Sequence, residues 1–222
     1  MARVNAQDGG AQSRTARPAP GEELHAGPPT PPRQAASVIL LRGGNRRLEL
    51  LLVKRNPTAR FMGGAWVFPG GAVDASEGEG DAAHRAAGVR ELSEEAGIAA
   101  GGTDALVKFS RWITPAQVRI RYDTHFFLCP APSGAEPRVD GQECVEARWF
   151  APRGALDAHA GGEILLVFPT IKHLEQLEGF ISADAALEHA HRHEVAPIEP
   201  RVLVSGETAR VVLPGEPGYE HG

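Results

Sequence analysis

The sequence predicts an α/β (α+β) fold, a layered sandwich of mixed strands and helices. Two observations carry that reading. Short apolar runs bounded by Gly, Pro and Asn recur along most of the chain, and a single helical segment crosses between the early and the late runs. Taken in order, 37–42 (SVILLR) reads as a buried strand, Gly43-Gly-Asn45 as a turn, and 47–55 (RLELLLVKR) as the returning strand. A loop of small residues leads to a short strand at 65–68, which runs into Pro69-Gly70-Gly71. Residues 81–96 read as a helix. Strands are expected at 105–113, 120–130 and 144–150, and helices around 171–177 and 183–190. A hairpin over 201–205 and 209–213, turning at Gly206-Glu207, closes the chain. No internal repeat is visible.

Composition narrows the class. With 42% apolar residues among 222, the chain can bury a sizeable core. Gly and Pro number 26 and 18, so irregular backbone is plentiful, but no G-x-y period exists and a collagen-like chain is excluded. The formal charge of −5 argues against a binder of nucleic acid polymers, which needs a basic surface. Two cysteines, Cys129 and Cys144, are too few for a disulfide framework and fit a reduced cytoplasmic setting. No apolar run approaches the ~20 residues that cross a bilayer, and no apolar stretch of the secretory kind follows Met1. A membrane protein is therefore not expected.

Residues 1–35 stand apart. They hold six prolines, four glycines and three bulky apolar residues, too little to offset the entropy of ordering them, and read as a disordered tail. Residues 36–222 form the expected domain. The tail carries a net charge of +1, so the domain carries −6. An acidic domain that binds an anionic substrate needs metal cations between the two.

The informative segment is Arg90-Glu91-Leu92-Ser93-Glu94-Glu95-Ala96-Gly97-Ile98. On a helix, residues three and four apart share a face, so Glu91, Glu94 and Glu95 converge and Arg90 lies one turn from Glu94. Three carboxylates this close repel one another, and one or more pKa values rise unless a cation intervenes. A hard divalent ion, Mg²⁺ or Mn²⁺, relieves that repulsion, because such ions favour carboxylate and water oxygens. Arg90 neutralises part of the charge and fixes a Glu rotamer. An E-x-x-E-E alone is also what a solvated acidic helix face looks like. Two features favour the site: Gly97 stops the helix abruptly, and Gly70-Gly71 lets backbone groups approach a metal or phosphate without Cβ interference.

Phe68-Pro69-Gly70-Gly71 followed by this helix resembles the Nudix box, whose second half is R-E-U-x-E-E-x-G-U with U aliphatic. Every fixed position of that half is matched. The resemblance implies a Nudix-like α/β/α sandwich with a mixed sheet, the box forming a loop–helix–loop. It also implies Mg²⁺- or Mn²⁺-dependent hydrolysis of a nucleoside diphosphate linked to another moiety. By resemblance, Glu94 and Glu95 are the principal metal ligands, Glu91 is a further ligand or a base, the Gly70 carbonyl completes the shell, and Arg90 orients the glutamates. The spacing departs from the family's. Five residues are inserted within 75–81, and Ala82 stands eight before Arg90 where the box carries Glu. Counted from the glycines, Glu77 falls at the expected spacing, with Glu79 as second candidate. A further acidic group in this family comes from a loop before a late strand. Glu143 is the first choice for it and Glu146 the second, and the proton acceptor is Glu91 or Glu143. Gly88, inside the helix, is read as a concession to close packing on the sheet.

Substrate is less sharply indicated. Leu51-Leu-Val-Lys-Arg55, followed by F-P-G-G-x-x-D ending at Asp74, partly resembles the signature of coenzyme A diphosphatases, and 84–91 after an insertion is similar to their peroxisomal members. Residues 56–65 hold less Arg and Ser than that signature does. Arg55 and Arg60 are candidate clamps for the phosphates, since guanidinium suits phosphate oxygens. ADP-ribose, nucleotide sugars and NADH are the alternative substrates, and a non-catalytic nucleotide-sensing module is the alternative class. Degeneration of the acidic cluster would mark such a module, whereas here all three glutamates are present. The partner expected is thus a small nucleoside diphosphate derivative, and a homodimer is left open. The C-terminal third resembles the extension of bacterial members with long insertions, and specificity is sought there. His189, His191 and His193 alternate in a way that does not share one helical face, and read as cations at a helix C-terminus.

Overall fold

In the computed structural model the described residues are 24, 27–205 and 208–221. They form eleven strands and four α-helices. The strands are β1 (Arg33–Arg42), β2 (Glu49–Arg55), β3 (Ala65–Val67), β4 (Gly70–Ala72), β5 (Val107–Ile113), β6 (Tyr122–Pro130), β7 (Cys144–Phe150), β8 (Leu165–Leu166), β9 (Pro197–Ile198), β10 (Arg201–Ser205) and β11 (Thr208–Val212). The helices are α1 (Gly80–Ala96), α2 (Pro152–Ala160), α3 (Phe168–Glu178) and α4 (Ala183–Arg192). Most of the tail read as disordered lies outside the described residues, as does the Gly206-Glu207 turn. The first strand begins at Arg33 rather than Ser37, because Arg33–Ala36 pair with Tyr122–His125. The last residues assigned to the tail therefore belong to the sheet.

Nine strands make one mixed sheet in the order β8-β3-β2-β1-β6-β5-β9, with β4 also on β1 and β7 also on β2, while β10 and β11 form a separate hairpin. Alternation along β1 explains the layers, since successive side chains point to opposite faces. Val38 and Leu40, with Phe127 of β6, pack beneath Ala87, Leu92 and Ala96 of α1. Ile39 and Leu41, with Phe109 and Leu128, pack beneath Ala155, Leu174 and Ala186 of α2, α3 and α4. One helix on one face and three on the other make an α/β/α sandwich, as expected. Gly88 faces the sheet, where a Cβ would stand 3.1 Å from Val38 Cγ2, which agrees with the packing role read for it.

The sheet is not evenly paired, and that irregularity makes the site. β1 and β2 pair only at Leu41↔Leu50 and Arg42↔Glu49. Beyond that point the same edge of β2 is paired by β3 through Val53↔Val67 and Lys54↔Trp66, the N-terminal half of β1 by β4 through Ala35↔Ala72 and Ser37↔Gly70, and β7 runs along the other edge of β2. The end of β2 at Arg55, the start of β7 at Cys144 and the Gly70-Gly71 backbone thus gather at one end of the sheet. Ser37 Oγ and the Val38 N–H both donate to the Pro69 carbonyl, at 3.0 and 2.8 Å, which fixes the turn into β4.

Buried Arg121 ties the chain's extremities to this same end. It donates to the Thr30 carbonyl at 2.9 Å and the Thr114 carbonyl at 3.0 Å, and pairs with Glu199 at 2.7 Å. Among the described residues no helix is long and apolar enough to cross a membrane.

His173 locks α3 to the sheet. Its Nδ1 lies 2.7 Å from the Pro169 carbonyl and its Nε2 2.6 Å from Ser110 Oγ, so a neutral ring with the proton on Nδ1 satisfies both. Phe126 packs against the ring at 4.2 Å and Trp112 at 5.6 Å. Burial pushes the His173 pKa down to about 4, against a smaller upward pull from the Pro169 carbonyl. The unfolded chain therefore binds the proton first as pH falls from about 6.5 to about 4. Stability present above about 6.5 is lost through that window. His173→Gln is expected to lower stability at pH 7.5 but to remove on the order of 3 kcal/mol of the loss between pH 7.5 and 4.5, read by urea denaturation. An unchanged acid slope would show the assignment to be wrong.

Candidate active site

Helix α1 begins after a short 3₁₀ turn, Ala75–Glu77, that occupies the inserted segment. It ends at Gly97, which adopts φ 65° and donates to the Ser93 carbonyl at 3.0 Å. A Cβ at Gly97 would also press on the Arg138 carbonyl at 2.8 Å, so the abrupt stop read from sequence has a steric cause as well. The face of α1 turned to the sheet carries Ala87, Gly88, Glu91, Leu92 and Glu95; Glu94 lies on its rim, with its side chain 59% exposed. The three glutamates are therefore adjacent but not equivalent. Glu91 and Glu95, one turn apart, are buried, at 8% and 2% exposure.

Arg90 organises the cluster. Nε donates to Glu77 Oε1 at 3.0 Å, and Nη1 to Glu91 Oε1 at 2.7 Å and Glu94 Oε2 at 3.0 Å. Nη2 donates to the Ala72 carbonyl at 3.0 Å and to Glu77 Oε2 at 3.4 Å. A guanidinium has five N–H groups, and these contacts use all of them. Glu77 is thereby the acid of the insertion that reaches the box, and its Oε2 also accepts the Asp74 N–H at 2.7 Å. Burial raises the Glu77 pKa, but Arg90 and the Asp74 N–H outweigh it and hold it below the usual range. Glu79 precedes α1 as its N-cap without a capping side-chain hydrogen bond.

Glu95 is held differently. Its Oε2 accepts the Gly70 N–H at 2.9 Å and its Oε1 faces Arg55 Nη1 at 3.5 Å. Burial pushes its pKa up to about 7, and the Glu91 charge adds to the rise, against the pull of Gly70 and Arg55. Burial likewise raises Glu91; Arg90 opposes this, while the Glu94 and Glu143 charges reinforce it. Glu143 is exposed in the turn before β7, where its N–H donates to Asp140 Oδ2 at 3.0 Å. Glu146 lies on β7 opposite Lys54, with which it pairs at 3.9 Å, away from the cluster.

The structure gives Arg55 two partners within the protein. Expected as a phosphate clamp, it sits at the end of β2 against Glu95 and the Phe61 carbonyl. Arg60 is exposed on the loop that follows. Motif spacing gave no hint of the Arg55–Glu95 contact, which arises only when β2 and α1 meet. Two turns before Glu91 on the same face, His84 is buried and stacked on His125 at 3.8 Å. His189 and His193 stack on each other at the end of α4.

Carboxylate oxygens crowded together and partly desolvated are donors suited to a hard divalent cation, and the glycine turn leaves them room. A Cβ at Gly71 would overlap the Glu91 carboxyl group, so only glycine allows Glu91 its place. As they stand, the oxygens are engaged by Arg90, Arg55 and Gly70. Among the described residues no three His, Cys, Asp or Glu side chains are already set to hold a metal ion. The donor set fits such an ion once one arginine contact yields. Gly71→Ala is expected to keep the fold, because the clash falls on a side-chain end, but to weaken Mn²⁺ binding by roughly tenfold or more. Circular dichroism and calorimetric titration of one sample check both halves.

Comparison with known proteins agrees with this architecture. The family model for the NUDIX domain matches residues 31–166. A Caenorhabditis elegans protein named as a candidate nudix hydrolase 7 is 31% identical over 181 residues, covering 65% of this chain. The match spans 60% of that relative's length. The crystal structure of a NUDIX hydrolase from Alicyclobacillus acidocaldarius superposes with a TM-score of 0.64 at 28% identity, covering 72% of this chain and 96% of that one. The NUDIX domain of Shewanella oneidensis NrtR, solved with ADP ribose, shares the fold at a TM-score of 0.50 and 17% identity, over 66% of this chain and 86% of that one. With the box helix, its glycine turn and the α/β/α sandwich all in place, this chain belongs to the Nudix hydrolase family.

Proposed function

We propose that this chain hydrolyses the diphosphate linkage of a small nucleoside diphosphate conjugate with the help of divalent cations. The observation that carries the reading is the intact acidic cluster of α1, gathered by Arg90 against the Gly70-Gly71 turn. Nudix hydrolases generally use divalent metals, and Mg²⁺ or Mn²⁺ suits an all-oxygen donor set. Such an ion, when bound, supplies charge neutralisation on the diphosphate and a more acidic water.

The chain's own residues supply the rest. Glu94 and Glu95 hold the cation, with the Gly70 carbonyl as a further donor. Glu91 either joins them or accepts the proton of the attacking water; Glu143, exposed in the turn before β7, is the other acceptor. Arg90 contacts Glu91 and Glu94 together and keeps their oxygens in register. Attack in line at phosphorus follows from positioning and electrostatics, with no covalent intermediate on the protein.

Coenzyme A or an acyl-CoA is the substrate we favour, on the partial signature at 51–55 and 68–74. Arg60, exposed on the loop that follows β2, is a candidate for its phosphates. Both thiols are free and buried, in keeping with a reduced, cytoplasmic setting.

Glu94→Gln and Glu95→Gln are each expected to lower kcat by about 100-fold or more with little change in folding. Turnover of CoA, acyl-CoA, ADP-ribose, NADH and a nucleotide sugar with Mg²⁺ and Mn²⁺, with products identified by mass, checks both reaction and substrate. Activity surviving the double change would sink the assignment of the glutamates. Ligand binding without turnover of any compound would favour a sensing module.

A further inference from the structure

Arg55 divides its guanidinium between two unlike partners. Nε donates to the Phe61 carbonyl at 3.2 Å, and Nη1 makes a single contact of 3.5 Å with Glu95 Oε1. The first contact lies within the loop that follows β2, where the Phe61 ring packs on Tyr122 at 5.4 Å. The second is at the limit of hydrogen bonding and has little directional strength. Arg90 contrasts with it, since all five of its N–H groups are engaged at once. The Arg55 contact to Glu95 is therefore the one that yields most easily.

Glu95 carries its carboxylate where little solvent can screen it. Its side chain is 2% exposed, Glu91 lies one turn away, and among the described residues Arg55 is the cation that pairs with it. A divalent ion on the same carboxylate would stand beside the guanidinium, and the two like charges repel. Ion and arginine thus compete for one carboxylate, whereas Nε is anchored to a backbone oxygen that the ion does not touch.

We propose that Arg55 is a stand-in cation, neutralising Glu95 in the metal-free site and released from it when a divalent ion binds. Pivoting on its Phe61 anchor, the freed end of the guanidinium then meets the substrate's phosphates, whose geometry it matches. Arg55 acts on Glu95 as a positioning residue and on the loaded site as a binding group. The proposal rests on the reading of Glu95 as a metal ligand.

The test is Mn²⁺ titration of the full chain without substrate, with free ion read by electron paramagnetic resonance. Wild type, Glu95→Gln, Arg55→Gln and Arg55→Met are compared, the last keeping more of the apolar stem in case the Gln variant does not fold. Glu95→Gln is expected to weaken binding by roughly tenfold or more. Removing the Arg55 charge is expected to tighten it by about fivefold or more, and to raise KM at saturating Mn²⁺ by a similar factor. A loss of packing alone would not tighten metal binding. Glu95-dependent binding that both Arg55 variants leave unchanged or weaken overturns this proposal while the metal-ligand reading survives. Binding that does not depend on Glu95 overturns both.

Discussion

Five N–H groups of one arginine meet four partners from three separate segments, and the site depends on that convergence. Arg90 joins Glu77 of the inserted turn, the Ala72 carbonyl of β4, and Glu91 and Glu94 of its own helix. Without it, carboxylates three and four residues apart on α1 would face one another across a few ångströms with no compensation. The glycine turn is the complementary constraint. Gly70 brings an N–H to Glu95, and Gly71 leaves the volume that the Glu91 carboxyl fills. Arginine and glycines together let an acidic surface fold before any ion is present.

The sheet supplies the place for that cluster by failing to be regular. β1 and β2 part after two paired positions, and the gap is taken by β4 on the β1 side and β3 on the β2 side. Residues from both sides of the divergence then reach α1. Backbone pairing decides this, because β4 consists of Gly70, Gly71 and Ala72 and has almost no side-chain surface of its own. The opposite face is closed by helices of which α3 and α4 lie beyond the segment matched by the family model. Much of the C-terminal extension is therefore structural: His173, locked between Ser110 and Pro169 among aromatic rings, belongs to the core. The part past α4 reaches the site end of the sheet through the Arg121–Glu199 pair.

Legibility in the sequence followed the range of the interaction. Helix α1 and strands β1, β2, β6 and β7 stood out because their apolar period or their motif is local. Helix α2 and strands β4, β8 and β9 did not. The strands hold two or three residues each, and α2 is a nine-residue helix that begins at a proline. The choice between Glu77 and Glu79 was open in the sequence because a five-residue insertion breaks the spacing between the glycines and Arg90. The 3₁₀ turn resolves it by carrying Glu77 to Arg90.

By itself the sequence determined which groups stand together: three carboxylates and an arginine at helical spacing behind a glycine pair, on an acidic domain. Helical geometry also made those residues neighbours, since i, i+3 and i+4 contacts require no knowledge of the rest of the fold. Only the tertiary structure decided how the three glutamates differ. Glu95 is sealed against the sheet, Glu91 is pinned beside Gly71, and Glu94 stays in solvent. It also set Arg55 against Glu95. The reason is physical: burial and charge pairing across strands depend on which distant segments the sheet brings together, and no local spacing records that.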